Sequence, residues 1–224
     1  MWIKVVLSVL NTFAVLAMFL VTAIWIPTFN MDYYRAHYDQ REIPRRIGVS
    51  ETQLMEVTRR LTDYMRGRAD DIVISVEAHG VTREFFDERD TAHMVDVRAL
   101  FDIARAGFVL AVLAAGATWA WAFLRKELPL LFRVSLWVLA GFLAAFALLA
   151  LMIALDFDAS FIIFHLIFFN NDLWILDPAV SLLINIVPQD FFVDISLKVG
   201  MLFGGMILGY AGLMAVMLRK WKNA

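Results

Sequence analysis

The sequence predicts an α-helical membrane protein, with four transmembrane helices and a small extracytoplasmic α+β cap. Three observations point there. The 224-residue chain is 61% hydrophobic, whereas roughly half apolar is usual for a soluble domain. Four stretches, at residues 5–27, 107–124, 134–155 and 199–218, are long and apolar enough to cross a bilayer, which takes about 20 residues. The segment between the first two is polar and patterned.

The first stretch follows Lys4 and could pass for a signal peptide. Its apolar run exceeds the roughly 7–15 residues of a signal core, and no small-x-small cleavage site follows. Residues 1–27 are therefore read as a retained transmembrane helix.

Residues 28–105 are expected to form the cap and lead into the second helix. Ser50–Gln53 (SETQ) has the pattern of a capping box. Behind it Leu54, Val57, Leu61 and Tyr64 recur at helical spacing. The runs DIVISV and VTREFF flank EAHG and predict a hairpin. From Asp90 the pattern is helical again. Whether the segment carrying His93 continues into the second span or forms a separate interfacial helix is not decided by the sequence.

The second helix is placed at 106–125, a cytoplasmic loop at 126–133 and the third helix at 134–155. An extracytoplasmic interfacial loop follows at 156–197, then the fourth helix and a cytoplasmic tail at 198–224. Orientation follows from short loops. RKELPLLFR and LRKWKNA are basic, while residues 156–197 hold six aspartates and no Lys or Arg. The positive-inside rule then puts both termini in the cytoplasm. Ser160–Phe169 is too short to cross and suits an interfacial or re-entrant segment. Asp177-Pro178 predicts the cap and first residue of a short helix. Gly200, Gly204, Gly205 and Gly209 predict close helix packing.

Several chemistries are excluded. The chain has no cysteine, hence no disulfide, thiol nucleophile or thiolate metal site. GxSxG, HExxH and a phosphate-cradling glycine loop are all missing. No metal or cofactor is expected, and the net charge of −2 gives no sign of nucleic-acid binding. His37 and His79 read as surface histidines. His93 has Asp96 three residues on, positioned to hold its imidazole in one tautomer. His165 lies among phenylalanines near membrane depth, where an ionisable group is costly unless it faces protein or a wet cavity. Two histidines in an aromatic setting at the outer leaflet fit general acid–base chemistry on an amphiphile.

DERDTAHMVDVRALF and FHLIFFNNDLWILDPAVSLLINIVPQDFF closely resemble the bacterial lipoprotein intramolecular transacylase family. GVSETQLMEVTRRLTDYMRG fits the family's cap, and Arg98 stands where the family commonly has lysine. The resemblance implies an acyltransferase of the bacterial cytoplasmic membrane, with its active site at the outer-leaflet interface. Its substrate would be a diacylglyceryl-modified lipoprotein held in membrane lipid. The sn-2 acyl chain would move to the α-amino group of the N-terminal cysteine, giving the lyso-form. His93 and His165 correspond to the family's catalytic histidines; which is base and which is oxyanion partner or acid stays open. Asp96, Asn170, Asn171 and Asp172 are expected as supporting or oxyanion groups. Phe164, Phe168, Phe169, Trp174, Phe191 and Phe192 are expected as substrate walls. The alternatives are an intermolecular acyltransferase or lipase, and a non-enzymatic membrane assembly or sensing protein.

Overall fold

The computed structural model describes residues 2–222. Met1, and Asn223 and Ala224 at the end of the expected tail, lie outside the described residues. The chain divides into two compact units: residues 1–24, 104–157 and 198–224, and residues 25–103 and 158–197.

The first unit is built from four helices long and apolar enough to cross a membrane: α1 (Trp2–Thr28), the second half of α5 (Glu88–Leu124), α6 (Leu128–Leu155) and most of α9 (Gln189–Lys222). Its interior has two apolar clusters. One is Leu16, Ala23, Leu139, Phe203 and Ile207. The other is Ala122, Leu128, Leu131, Phe132 and Met214. Polar side chains tie α1 to α6: the Thr12 and Ser135 hydroxyls bond at 2.9 Å, and Lys4 donates to Glu127. Hydrogen bonds of this kind are retained inside a membrane because lipid offers no substitute partner. A Cβ at Gly200, Gly205 or Gly209 would meet no heavy atom within 4 Å, and one at Gly204 would sit 3.6 Å from Phe146. These glycines therefore do not bring helices into close approach, contrary to their spacing.

Helix boundaries differ from the expectation in three places. α6 starts at Leu128 rather than 134 because Pro129 suits a first helical turn, so the link after α5 is only residues 125–127. α9 starts at Gln189 rather than 198. α5 is one continuous helix of 37 residues. At 1.5 Å per residue it is about 55 Å long, nearly twice the roughly 30 Å hydrocarbon core. Its charged residues, Glu88, Arg89, Asp90, Asp96, Arg98, Asp102 and Arg105, all fall in its first half. The apolar span is thus 107–124, and His93 lies outside it.

The second unit contains α2 (Met31–Gln40), α3 (Ile43–Ile47), α4 (Glu51–Met65), β1 (Ser75–Ala78), β2 (Val81–Glu84), α7 (Phe157–Phe168) and α8 (Leu182–Ile186). Ser50 caps α4, accepting from the Gln53 amide at 3.3 Å. Gln53 answers through its side chain, whose Oε1 accepts from the Ser50 hydroxyl at 3.1 Å. The face of α4 that carries Leu54, Val57, Leu61 and Tyr64 is buried with Tyr34, Tyr38, Ile43, Ile72, Phe85, Ile186 and Phe191. β1 and β2 pair antiparallel from Ser75–Glu84 to Ala78–Val81, shorter than the apolar runs predicted. α8 is capped by Ser181, which accepts from Ile184; Asp177 instead closes the preceding turn on the Ala179 amide.

The hairpin turn is His79-Gly80, with φ of +51° and +80°. The His79 amide donates to the Gly48 carbonyl at 2.9 Å. Gly48 itself has φ +67°, and a Cβ there would lie 2.4 Å from His79 Nδ1. Gly48→Ala is expected to destabilise the protein by at least about 1 kcal/mol, the left-handed penalty alone. A thermal midpoint equal to wild type would contradict this.

Candidate functional site

His93 sits in the second turn of α5, and His165 lies one turn before the end of α7. Although 72 positions apart in sequence (165 − 93), their ring centroids are 6.4 Å apart, tilted by 34°. Both residues belong to the second unit.

α7 forms because a largely apolar run, interrupted only by Ser160 and His165, follows Asp158, whose carboxylate suits a helix N-terminus. His165 is only 8% exposed. Its Nδ1 lies 2.7 Å from the Phe161 carbonyl one turn back. A carbonyl can only accept, so Nδ1 carries the proton and Nε2 keeps its lone pair. Aromatic rings enclose the imidazole. Trp174 stacks on it at 4.6 Å and 28°, Phe161 packs at 4.3 Å and Phe169 at 5.6 Å. The Phe169 ring meets His93 edge-on at 5.2 Å, so it contacts both imidazoles. Nδ1 of His93 is buried without a hydrogen-bond partner. An unpaired buried polar atom is costly, and a substrate group is one way to satisfy it.

Burial sets the charge state of the pair. The His93 pKa is pushed down to about 4, first by desolvation and then by His165 opposite, with Asp96 opposing both. His165 is also lowered by desolvation, against the pull of the Phe161 carbonyl. Both imidazoles are therefore neutral at pH 7. Among the described residues no three His, Asp or Glu side chains converge on a metal position.

The supporting residues are arranged differently from the expectation. Asp96 does not hold the His93 imidazole; its carboxylate accepts from Asn171 Nδ2 at 2.8 Å. Asn171 also accepts, through its own carbonyl, from Trp174 Nε1 at 3.0 Å. Asp172 pairs with Arg89 at 3.2 Å, and Asn170 is exposed in the turn after α7. Of the expected walls, Phe169 and Trp174 reach the imidazoles. Phe164 touches His165 edge-on at 5.4 Å and packs at a tilt against Phe168 at 4.7 Å, both about half exposed. Phe192 packs on Phe161. Phe191 is a correction: it is 2% exposed and lies in the core against Tyr33, Tyr34 and His37. His37 is a second correction. It is buried at 3% exposure, and desolvation lowers its pKa; the polar residues flanking it in sequence occupy the other face of α2. His79 is exposed, as expected.

Sequence reasoning missed Phe161 and Arg89. Each lies four residues before one of the histidines, a spacing that places it on the same helical face.

A sequence profile of the lipoprotein intramolecular transacylase Lit family matches residues 9–192. The chain belongs to the Lit family. It is accordingly a membrane-embedded acyltransferase, a lipoprotein intramolecular transacylase. Solved structures of membrane-integral Lit from Bacillus cereus share its fold. One superposes with a TM-score of 0.83 at 17% identity, covering 99% of both chains. A variant of that protein with a histidine replaced by arginine gives 0.77 at 17% identity, covering 99% of this chain and 94% of the other. A variant with a histidine replaced by alanine gives 0.76 at 18% identity, covering 99% and 96%. No curated protein matches the chain in sequence. The match extends over the four apolar helices and the small two-stranded sheet of this chain.

Proposed function

We propose that His93 and His165 carry the Lit reaction on a diacylglyceryl-modified lipoprotein, with His165 as the base. The observation that carries this reading is the pairing of two neutral imidazoles, 6.4 Å apart, inside one aromatic enclosure. At that separation one ester lying alongside both rings can be reached from each by a hydrogen bond of about 3 Å. The substrate α-amine, whose ordinary pKa is near 7.7–8.0, enters as the free base after its ammonium proton passes to solvent, and Nε2 of His165 takes one of its two remaining protons as it attacks. The nitrogen attacks the sn-2 ester carbon. His93 supplies an N–H to the oxyanion, where one donor is worth about 3–4 kcal/mol. As the C–O bond breaks, His165 returns the proton to the glyceryl oxygen. One C–N bond forms, one C–O bond breaks, and a proton moves from nitrogen to oxygen.

The ring closed in this step has eight members, so many rotors must be frozen. Orientation is the protein's main contribution, worth roughly 7–11 kcal/mol in favourable cases. Phe164, Phe168, Phe169, Trp174 and Phe192 are the surfaces that fold the lipid back on its peptide. We place the site at the outer leaflet, with both termini cytoplasmic, from the charge asymmetry of the short loops. The exposed Ile163, Leu166 and Ile167 of α7 support contact with lipid there.

Because transfer is internal, the product has the mass of the substrate. The test uses an equimolar mixture of two lipopeptides, one with a heavy acyl chain and a heavy peptide, the other unlabelled. The expected result is N-acylated product that is wholly heavy or wholly light, at a rate unaffected by added phospholipid. Crossed products, or dependence on phospholipid, would replace this reading with intermolecular acyl transfer.

A further inference from the structure

Arg89, His93 and Asp96 occupy one face of α5, at i, i+4 and i+7. The first and last of them grip the turn that follows α7. Arg89 Nε donates to the Ile175 carbonyl at 3.1 Å. Its Nη2 donates to the Asp172 carbonyl and pairs with the Asp172 carboxylate at 3.2 Å. Asp96 accepts from the Asn171 side chain at 2.8 Å. Residues 171, 172 and 175 are therefore fixed to α5 on both sides of Trp174. The indole is fixed in turn, donating to the Asn171 carbonyl and stacking on His165.

We propose that Arg89 is a positioning residue: with Asp96 it clamps the turn at 171–175 so that Trp174 stays stacked on His165, across from His93. This rests on the histidine reading above. The helix that presents one imidazole also sets the lid over the other, so the two are held in one register without touching. A guanidinium is needed because its planar fork reaches two carbonyls and a carboxylate at once; an ammonium is a point donor and does not span them. The groups around the imidazole are consistent with this. His93 faces it from α5, the Phe161 carbonyl from its own helix, and the charges of Arg89, Asp96 and Asp172 are engaged in the clamp.

The test compares the full-length wild type with Arg89→Gln, Arg89→Lys and Trp174→Ala. The His165 titration is followed by NMR on histidine-labelled protein, alongside kcat and KM on a synthetic diacylglyceryl lipopeptide. Arg89→Gln should raise the His165 midpoint toward the ordinary 6.5. It should lower kcat roughly 10- to 100-fold, the scale of a small misplacement, with KM changed less than about threefold. Arg89→Lys should behave like the glutamine variant. Adding Arg89→Gln to Trp174→Ala should have little further effect, since both act through one contact. An unmoved His165 midpoint in Arg89→Gln, or full rescue by lysine, overturns the proposal. Activity retained in His165→Ala would instead overturn the histidine reading, while the titration would still report on the clamp.

Discussion

Replacing His165 with alanine should lower N-acylation by about 10²- to 10⁴-fold, the usual contribution of a positioned general base. The His93→Ala loss should be about 10²- to 10³-fold, that of one oxyanion donor. Glutamine separates the two roles. It can donate a hydrogen bond but cannot act as a base near neutrality, so His93→Gln should keep more activity than His93→Ala, while His165→Gln should be as inactive as His165→Ala. Rates are read by fragmentation mass spectrometry, which distinguishes N-acyl from O-acyl isomers of equal mass. Equal rescue at both positions would remove the assigned roles.

The pH dependence follows from the same burial. Both histidines have folded pKa values below their ordinary 6.5, so protonation favours the unfolded chain. Their contribution to stability is fully present above about 6.5. It is lost as the pH falls toward the His93 value of about 4. Activity should fall over the same range, starting at the His165 midpoint. A profile flat down to pH 4 would contradict neutral imidazoles as the working form.

The largest stability effect outside the aromatic core is expected at Asp90, which is 0% exposed. Its carboxylate accepts from the Ser181 hydroxyl at 2.6 Å and the Asp87 amide at 3.3 Å. Its own amide donates to Asp87 at 2.7 Å. Asp90→Ala removes the acceptor of the buried Ser181 hydroxyl and of the half-buried Asp87 amide at once. With charged hydrogen bonds worth about 1.5–3 kcal/mol each, a destabilisation of about 3 kcal/mol is expected. Asp90→Asn, which keeps one acceptor oxygen, should lose less. The measurement is the thermal midpoint in detergent. A change equivalent to under 1 kcal/mol would show that water substitutes for the carboxylate. Ser181 also caps α8, so this bond joins the start of α5 to the segment leading into α9.

The apolar spans were legible because lipid demands long unbroken runs, and the cap of α4 because Ser50 and Gln53 act locally. The histidine pair was legible through resemblance; neither side chain alone points to the other. What escaped were relations set by packing. His37 looked exposed because its neighbours are polar, yet Phe191 covers it, and both were misjudged together. Asp96 looked like the partner of His93 at helical spacing, but Asn171 arrives from 75 residues away (171 − 96) and takes its carboxylate. Arg89 was overlooked because its partners are mostly backbone carbonyls, which carry no side-chain signature.

Nδ1 of His165 is backed by a peptide carbonyl of its own helix, that of Phe161, rather than by a carboxylate. Such an imidazole gains no anionic boost and remains a mild acceptor. It suits a neutral amine, already a good nucleophile, whose proton becomes acidic as the C–N bond forms; it gives less help to water, a weak nucleophile whose pKa is 15.7. On the proposed roles the site should therefore favour aminolysis over hydrolysis of the same ester, with little free fatty acid released beside the N-acylated product.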